Sequence, residues 1–269
     1  MTTHPLDVAT RLARGPDGLL YGATLRDYAN MSGPFGGATA ATLLNAVMID
    51  ERRLADPVAL TVNFCGPIAD GAFGISTRLA RGGRTTQHWT VELSQNGDVA
   101  ATASIVCGAR RASWSHFPQA APQARPRSAT PAPPAVAPNW VSRYSFDFLE
   151  GALDRFPRAD GEIRSARSLL WMQDAPARPL DFLSLAALSD AFFVRIMHVR
   201  GTLQPMATVT MTTYFHVGAE EIGRLGAAPV LGEADAAVFH DNFADQTCAL
   251  WSEGGRLLAN GVQAVWYRD

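Results

Sequence analysis

The sequence predicts an α+β fold of two similar halves, each with one helix followed by a run of antiparallel strands. A proline-rich segment divides the chain into parts of similar length, and patterns in the first part recur in the second. The helix candidate of each half is apolar around most of its circumference, and such a helix must be enclosed. We therefore expect a long antiparallel sheet wrapped around a central helix, twice over.

The first half starts its regular structure with a helix predicted over residues 35–50 (FGGATAATLLNAVMID), which follows a Ser-Gly-Pro turn signal. Residues 60–64 (LTVNF) alternate in polarity and include β-branched side chains, which is typical of a strand. Asn96 and Gly97 form a strong signal for a two-residue hairpin turn, since strand-like runs flank them. The order in this half is therefore a helix and then strands.

The proline-rich segment covers residues 117–138 (FPQAAPQARPRSATPAPPAVAP). Proline cannot donate to a sheet ladder or continue a helix, so we interpret the segment as an extended linker with polyproline II character. It predicts an N-terminal repeat over residues 1–116, a linker over 117–138 and a C-terminal repeat over 139–269.

The second half repeats the helix-first order. Residues 180–197 (LDFLSLAALSDAFFVRIM) predict one apolar helix, which follows Pro179 and has Asp181 or Ser184 as its N-cap. Residues 262–267 predict a strand at the end of the chain, as residues near position 105 do in the first half.

The internal repeat is visible in two pairs of segments. LTVNF at 60–64 matches MTTYF at 211–215 with an offset of 151 residues. NGDVAATAS at 96–104 matches GGRLLANGV at 254–262 with an offset of 158 residues, and a Gly-Gly pair then stands where the first half has Asn-Gly. The repeat therefore predicts a corresponding hairpin in each half.

Composition and charge exclude several classes of function. The chain has 269 residues, of which 47% are hydrophobic and 18% charged, so it can bury a full core. A net charge of −2 argues against a nucleic-acid partner. All 23 basic residues are arginine, which excludes Schiff-base chemistry, a Ser-Lys dyad and the lysine of a P-loop.

We expect a cytoplasmic protein without membrane insertion. Residues 1–20 carry charges and no apolar block, so no signal peptide is predicted. The uncharged stretch over 28–49 is too polar and too rich in glycine to span a bilayer. The three cysteines are far apart and are expected to be buried, reduced thiols: Cys65, Cys107 and Cys248.

Six segments, three in each half, carry a family resemblance. They are GPFGG at 33–37, the strand at 57–64 with its following Gly-Pro, RGGR at 81–84, LAALSDAFF at 185–193, ATVTMTTYFH at 207–216 and ANGVQAVW at 259–266. In this order and spacing they resemble the bacterial acyl-CoA thioesterase II family. The resemblance covers both halves without the linker and implies a double hotdog fold, in which each repeat wraps a long antiparallel sheet around its helix.

The resemblance implies a catalytic set of Asp190, Thr208 and Gln263. In the family, an Asp, a Thr and a Gln at the matching positions hold and activate the hydrolytic water. The residue types suit that chemistry, because a thioester carbonyl is electrophilic enough for direct attack by a water that one carboxylate and two neutral groups orient. Asp190 also stands out by itself, since a carboxylate among apolar residues is costly unless it is hydrogen-bonded or functional.

Substrate-binding residues are predicted at two further places. Gly36 and Gly37 allow close approach to the backbone N–H groups at a helix start, which suit a developing oxyanion. Arg84, together with Arg81, is a candidate contact for a coenzyme A phosphate.

The first half lacks the catalytic set. The repeat offsets place Pro57 opposite Thr208 and Ile105 opposite Gln263, and residues 32–49 contain no carboxylate to stand for Asp190. We therefore expect one competent site per chain, carried by the second half.

The leading interpretation is a thioesterase of fatty acid metabolism in a bacterial cytoplasm, which hydrolyses acyl-CoA to a free acid and coenzyme A. No separate cofactor and no metal are expected, because the six histidines lack metal-type pairing. A homodimer or higher homo-oligomer is expected, since a sheet of two joined repeats leaves edges for pairing. Two alternatives stay open: a hotdog enoyl-thioester hydratase or dehydratase, although the G-D-x-N-P-x-H signature is absent, and a non-catalytic protein that binds acyl thioesters.

Overall fold

A computed structural model describes residues 3–128, 138–153, 156–158 and 161–268. Part of the predicted linker, residues 129–137, lies outside the described residues. Its described part, residues 117–128, contains neither helix nor strand. The Arg125 guanidinium in this part donates to both carboxylate oxygens of Asp147, at 2.9 and 2.7 Å.

Among its described residues, the first half has two helices and six strands. They are α1 (Pro5–Ala9), β1 (Ala13–Arg14), β2 (Leu20–Ala23), α2 (Gly36–Met48), β3 (Pro57–Phe64), β4 (Ala72–Gly82), β5 (Thr86–Gln95) and β6 (Asp98–Gly108). A short 3₁₀ helix, Arg26–Tyr28, precedes α2.

The second half opens with a 3₁₀ helix, Asn139–Arg143. Three helices and seven strands follow among the described residues: β7 (Tyr144–Glu150), β8 (Ser168–Asp174), α3 (Phe182–Leu188), α4 (Arg195–Arg200), β9 (Met206–Phe215), α5 (Ala219–Leu225), β10 (Val230–Asp235), β11 (Phe239–His240), β12 (Phe243–Ser252) and β13 (Leu257–Tyr267).

These strands form one antiparallel sheet in the order β1-β2-β4-β5-β6-β3-β9-β13-β12-β10-β8-β7, with β11 on β12. The halves join where β3 pairs with β9, and Thr61 lies opposite Thr212 with 3.0 Å between their hydroxyl oxygens. This pair is separated by the repeat offset of 151, so equivalent residues meet at the centre of the joint sheet. The predicted α+β fold with two halves is confirmed.

Helix α2 is enclosed by the sheet, as its all-round apolar surface predicts. Ten of its thirteen residues are buried. It begins one residue later and ends two residues earlier than predicted, which is ordinary for helix ends. A Cβ on Gly37 would lie 2.6 Å from the carbonyl oxygen of Ala187, so a glycine here allows α2 to approach the end of α3 closely.

The single helix predicted over residues 180–197 is wrong, because the segment forms α3 and α4 with a turn between them. Asp181 is the N-cap of α3, and its side chain accepts from the N–H of Ser184 at 2.8 Å. The N–H of Asp190 bonds to the carbonyl of Ala187 at 3.1 Å, a tighter i to i−3 contact that closes the helix. Asp190 therefore lies just after α3 and not inside a helix.

The predicted hairpin between β5 and β6 is confirmed. Asn96 and Gly97 have φ values of 54° and 91°, which a two-residue turn of this kind requires. In the second half, Gly255 with φ 77° lies in the connection between β12 and β13.

The cysteine prediction is correct at two of three positions. Cys107 and Cys248 are buried and free, whereas Cys65 is free but exposed, because it lies just past the end of β3. Separately, none of the helices in the described part of the chain has the length and apolar character to cross a bilayer.

Candidate active site

The structure places Asp190, Thr208 and Gln263 in one hydrogen-bonded chain. The Thr208 hydroxyl donates to Oε1 of Gln263 at 3.0 Å, and Nε2 of Gln263 donates to Oδ1 of Asp190 at 2.8 Å. The two bonds fix the orientation of the Gln263 amide, since only its nitrogen can face a carboxylate. A hydroxyl from β9, an amide from β13 and a carboxylate from the turn after α3 thus form one continuous group.

A β-bulge brings Thr208 to the inner face of the sheet. Gln263 lies opposite Met211, but the register shifts between Ala264 and Val265, so that Val265 lies opposite Thr208. Strict alternation from the buried Met211 would turn position 209 inward and Thr208 outward. Instead Val209 is 40% exposed, and Thr208 reaches the amide of Gln263.

The start of α2 faces the other side of the Asp190 carboxylate. A Cβ on Gly36 would lie 2.7 Å from Oδ2 of Asp190, which shows how closely the carboxylate approaches the helix. The N-cap residue Phe35 contributes no side-chain hydrogen bond, so the first N–H groups of α2 are open to an anion. The backbone N–H of Gly37 donates toward this carboxylate.

Burial raises the pKa of Asp190 to about 7, against an ordinary value of 3.8. The hydrogen bonds from Gln263 and from the Gly37 backbone act in the opposite direction, but desolvation is the larger effect. A carboxylate with a pKa near neutrality suits a general base, because it is partly ionised at neutral pH and basic enough to accept a proton.

Aromatic rings connect the two halves beside this group. Phe35, which precedes α2, stacks on Trp140 with 4.3 Å between ring centroids. Trp140 in turn contacts Phe193, three residues after Asp190, at 5.7 Å. The Asp190 group therefore lies at the junction of the halves, with α2 contributed by the first half and the polar side chains by the second.

The structure brings Gly36 and Gly37 to the Asp190 group but separates Arg84 from it. Arg84 lies in the turn between β4 and β5, at the end of the sheet where Thr86 pairs with Gly108. Phe64, which contacts the Gly36 position, pairs with Ala101, roughly 20 Å away along the strands. The contact of Arg84 with a coenzyme A phosphate stays a prediction.

Two buried polar residues near the site are not among the residues that the sequence predicts for it. Gln246 is 2% exposed and lies on β12 directly opposite Gln263, and Arg195 is 1% exposed at the start of α4. A signal for Gln246 existed: it shares the two-residue period of the apolar inner positions Ala244 and Cys248. Arg195 carried no such signal, since the segment reads as a continuous helix.

The described residues hold no cluster of three or more side chains suited to a metal ion. Burial and the charge of Asp190 raise the pKa of Cys248 to about 12, so this thiol is protonated at neutral pH and a poor nucleophile. The pKa of buried His198 is lowered to about 2 by burial, so it stays neutral. Among the described residues, no histidine forms a hydrogen bond with Asp190.

Comparisons with known proteins agree with this architecture. A family model described as the acyl-CoA thioesterase N-terminal domain matches residues 25–108, and one described as the acyl-CoA thioesterase C-terminal domain matches residues 118–267. A search of curated proteins found no match.

Several solved structures have the same fold. A conserved protein of unknown function with a hotdog fold from Alicyclobacillus acidocaldarius is 39% identical, with 100% of this chain and 99% of that chain covered and a TM-score of 0.89. The acyl-CoA thioesterase II TesB2 from Mycobacterium marinum is 18% identical, covers 98% of both chains and has a TM-score of 0.74. A tesB protein from Mycobacterium avium subs paratuberculosis is 16% identical, with 98% of both chains covered and a TM-score of 0.75.

The likeness to the two mycobacterial proteins shows the double hotdog fold alone, whereas the two family models together match both halves of the sequence. The chain therefore belongs to the acyl-CoA thioesterase family.

Proposed function

We propose that the protein hydrolyses acyl-CoA thioesters by direct attack of a water held by Asp190, Thr208 and Gln263. The observation that carries the proposal is the hydrogen-bonded chain from Thr208 through Gln263 to Asp190, with the carboxylate closely approaching the first turn of α2. Such a group offers one proton acceptor and two neutral partners to a single water beside the most positive end of a helix.

In the proposed reaction Asp190 takes a proton from the water as its oxygen adds to the thioester carbonyl carbon. The tetrahedral intermediate then expels the coenzyme A sulfur, and the proton on Asp190 passes to that sulfur. Thr208 and Gln263 orient the water and the base, which lowers the entropic part of the barrier. No covalent bond forms between substrate and enzyme.

The first turn of α2 supports the developing oxyanion in this scheme. The N–H of Gly37 is directed toward Asp190, so the N–H groups of Gly36 and Ala38 are the backbone donors left for the substrate. Preorganised donors of this kind act strongly because they need no rearrangement during the reaction.

Each chain carries one such site. Ile105, which the repeat aligns with Gln263, is fully buried in the apolar core, and Pro57 offers no hydroxyl where Thr208 has one. The first half therefore contributes the start of α2 and packing, and the second half the three polar side chains.

The proposal also covers the cofactor, the location and the oligomeric state of the protein. Coenzyme A is part of the substrate, so no separate cofactor takes part. We place the protein in the cytoplasm as a homodimer or larger homo-oligomer, since β1 and β7 end the strand order and leave edges for pairing. Light scattering of the purified protein measures that state.

An acyl-CoA panel with a free-thiol reagent tests the proposed function. We expect thiol release that saturates with at least one acyl-CoA and stoichiometric formation of the free acid. Saturable binding without release would support the non-catalytic binder, and conversion of an enoyl-CoA to a hydroxyacyl-CoA without thiol release would support the hydratase.

The pH dependence of the reaction follows from the Asp190 pKa of about 7. Since the base must be ionised, kcat/KM is expected to rise about tenfold per pH unit below 7 and to level off above it. Stopped assays from pH 5 to 9 measure the profile, and the residual rate of an Asp190→Asn variant is the control. A midpoint near pH 4 would contradict a desolvated base.

A further inference from the structure

Gln246 is a buried amide beside the candidate site, and only its oxygen is hydrogen-bonded. Its Oε1 accepts from the backbone N–H of Arg195 at 3.2 Å. Arg195 is the first residue of α4, whose N-cap Val194 supplies no side-chain acceptor, so Gln246 satisfies an otherwise open N–H. Within the part of the chain that the structure describes, Nε2 of Gln246 has no hydrogen-bond acceptor.

The position of Gln246 places its amide next to the group that holds the water. Gln246 and Gln263 lie directly opposite each other on β12 and β13, and both are buried on the inner face. Side chains at directly opposite positions are about 5 Å apart at their Cβ atoms. The next inward residue on β12, Cys248, interacts with Ser189 and with the charge of Asp190.

The Arg195 contact fixes the orientation of the Gln246 amide. The Arg195 side chain holds its own segment in place, since Nε donates to the carbonyl of Phe193 at 2.9 Å and Nη1 to the hydroxyl of Ser168 at 2.6 Å. With Oε1 bound to that segment, the two N–H groups of Gln246 point away from α4. Because Nε2 has no acceptor among the described residues, it is free to donate to a bound molecule.

The oxyanion of the proposed reaction can take a side-chain donor besides the backbone. An oxyanion is best held by two or more donors, and the N–H of Gly37 is directed toward Asp190, which leaves the N–H groups of Gly36 and Ala38 in the first turn of α2. We propose that Gln246 supplies a further donor and hydrogen-bonds, through Nε2, the carbonyl oxygen of the bound thioester as it becomes an oxyanion. This inference rests on the proposed function.

Two substitutions distinguish the role of Nε2 as a donor from the role of Oε1 as the acceptor for the Arg195 N–H. Gln246→Glu keeps an acceptor for the Arg195 N–H but removes the donor, and Gln246→Leu removes both. Gln87→Leu is the matched control: Gln87 is also 2% exposed, but it accepts from Leu54 and donates to Arg52 at 2.8 Å each, on β5 in the first half. Its loss affects folding and not the site.

We expect both Gln246 variants to lose about 10²-fold in kcat with KM changed less than about threefold, because a lost oxyanion donor acts on the transition state. Gln87→Leu is expected to keep the wild-type kcat. Thermal melts and circular dichroism verify folding of each variant in the same preparation.

The inference is overturned if Gln246→Glu keeps a third or more of the wild-type kcat, since anchoring of Arg195 is then the whole role. It is also overturned if KM alone rises, or if both Gln246 variants fail to fold. A wild-type protein that hydrolyses no acyl-CoA removes the proposed function itself, whereas an active wild type with active variants removes only the role of Gln246.

Discussion

Asp190→Asn is expected to lower kcat for thioester hydrolysis by about 10³-fold, within the range that positioned acid–base groups contribute. Asparagine has nearly the same shape, and its side-chain oxygen can still accept from Gln263, which now donates to Asp190 at 2.8 Å. It cannot take a proton from water. Thiol release under saturating substrate measures the loss, and a variant with nearly the full rate would remove Asp190 from the mechanism.

The same variant is expected to be more stable than the wild type at neutral and higher pH. Because the pKa of Asp190 is raised to about 7 in the folded protein, the folded state binds more protons than the unfolded state between about pH 4 and 7. The free energy of unfolding of the wild type therefore falls as the pH rises through this window. That of the Asp190→Asn variant does not, because asparagine does not ionise. At about 1.4 kcal/mol per pKa unit, the upper limit is about 4 kcal/mol.

Urea unfolding at pH 4 and pH 8 measures this difference. The gain in unfolding free energy should be small at pH 4 and several-fold larger at pH 8. An equal gain at the two pH values would mean that Asp190 has an ordinary pKa, and the claim that desolvation raises it would then be wrong.

Gly36→Ala is the second substitution with a large expected effect. The added Cβ lies 2.7 Å from Oδ2 of Asp190 and 3.3 Å from the ring of Phe64, so the carboxylate must move. A misplacement of about 1 Å at a reacting group costs about 10²-fold in rate. Stability should change little, because the atom displaced is the end of a side chain and alanine favours a helix over glycine.

Gly37→Ala is the matched control for this prediction. Its Cβ would lie 2.6 Å from the carbonyl oxygen of Ala187 and 2.5 Å from the ring of Phe35, so backbone must shift. We expect a loss of about 1–3 kcal/mol in unfolding free energy, as for overpacked cores. Activity assays and thermal melts of both variants test this pair of predictions. A wild-type kcat in Gly36→Ala would contradict the claim that the added Cβ displaces the Asp190 carboxylate.

Most of the fold is predictable from the sequence because its signals are local. The Asn96-Gly97 turn and the all-round apolar character of α2 depend on neighbouring residues alone. The break between α3 and α4 is different. Apolar side chains continue through it, and the turn is held by contacts with distant residues, namely Gln263 on Asp190 and Gln246 on the Arg195 N–H.

The candidate site was only partly visible in the sequence. Family resemblance, not spacing, pointed to Asp190, Thr208 and Gln263, because these residues are brought together by strand pairing across the second half. The bulge that turns Thr208 inward has no signal in the sequence. Strict alternation of inward and outward side chains along β9 would instead predict Val209 as the inward residue. Gln246 is hard to recognise from the sequence, because a single polar residue in a strand is typical of an outward-facing position.

Direct attack by water is tested most directly by a single turnover in H₂¹⁸O with excess enzyme, followed by mass spectrometry of the acid and of the peptide that contains Asp190. We expect one ¹⁸O atom in the acid after this first turnover and an unmodified Asp190 peptide. An acyl group or ¹⁸O on Asp190, with unlabelled acid, would show that the carboxylate attacks the thioester itself and that no held water does.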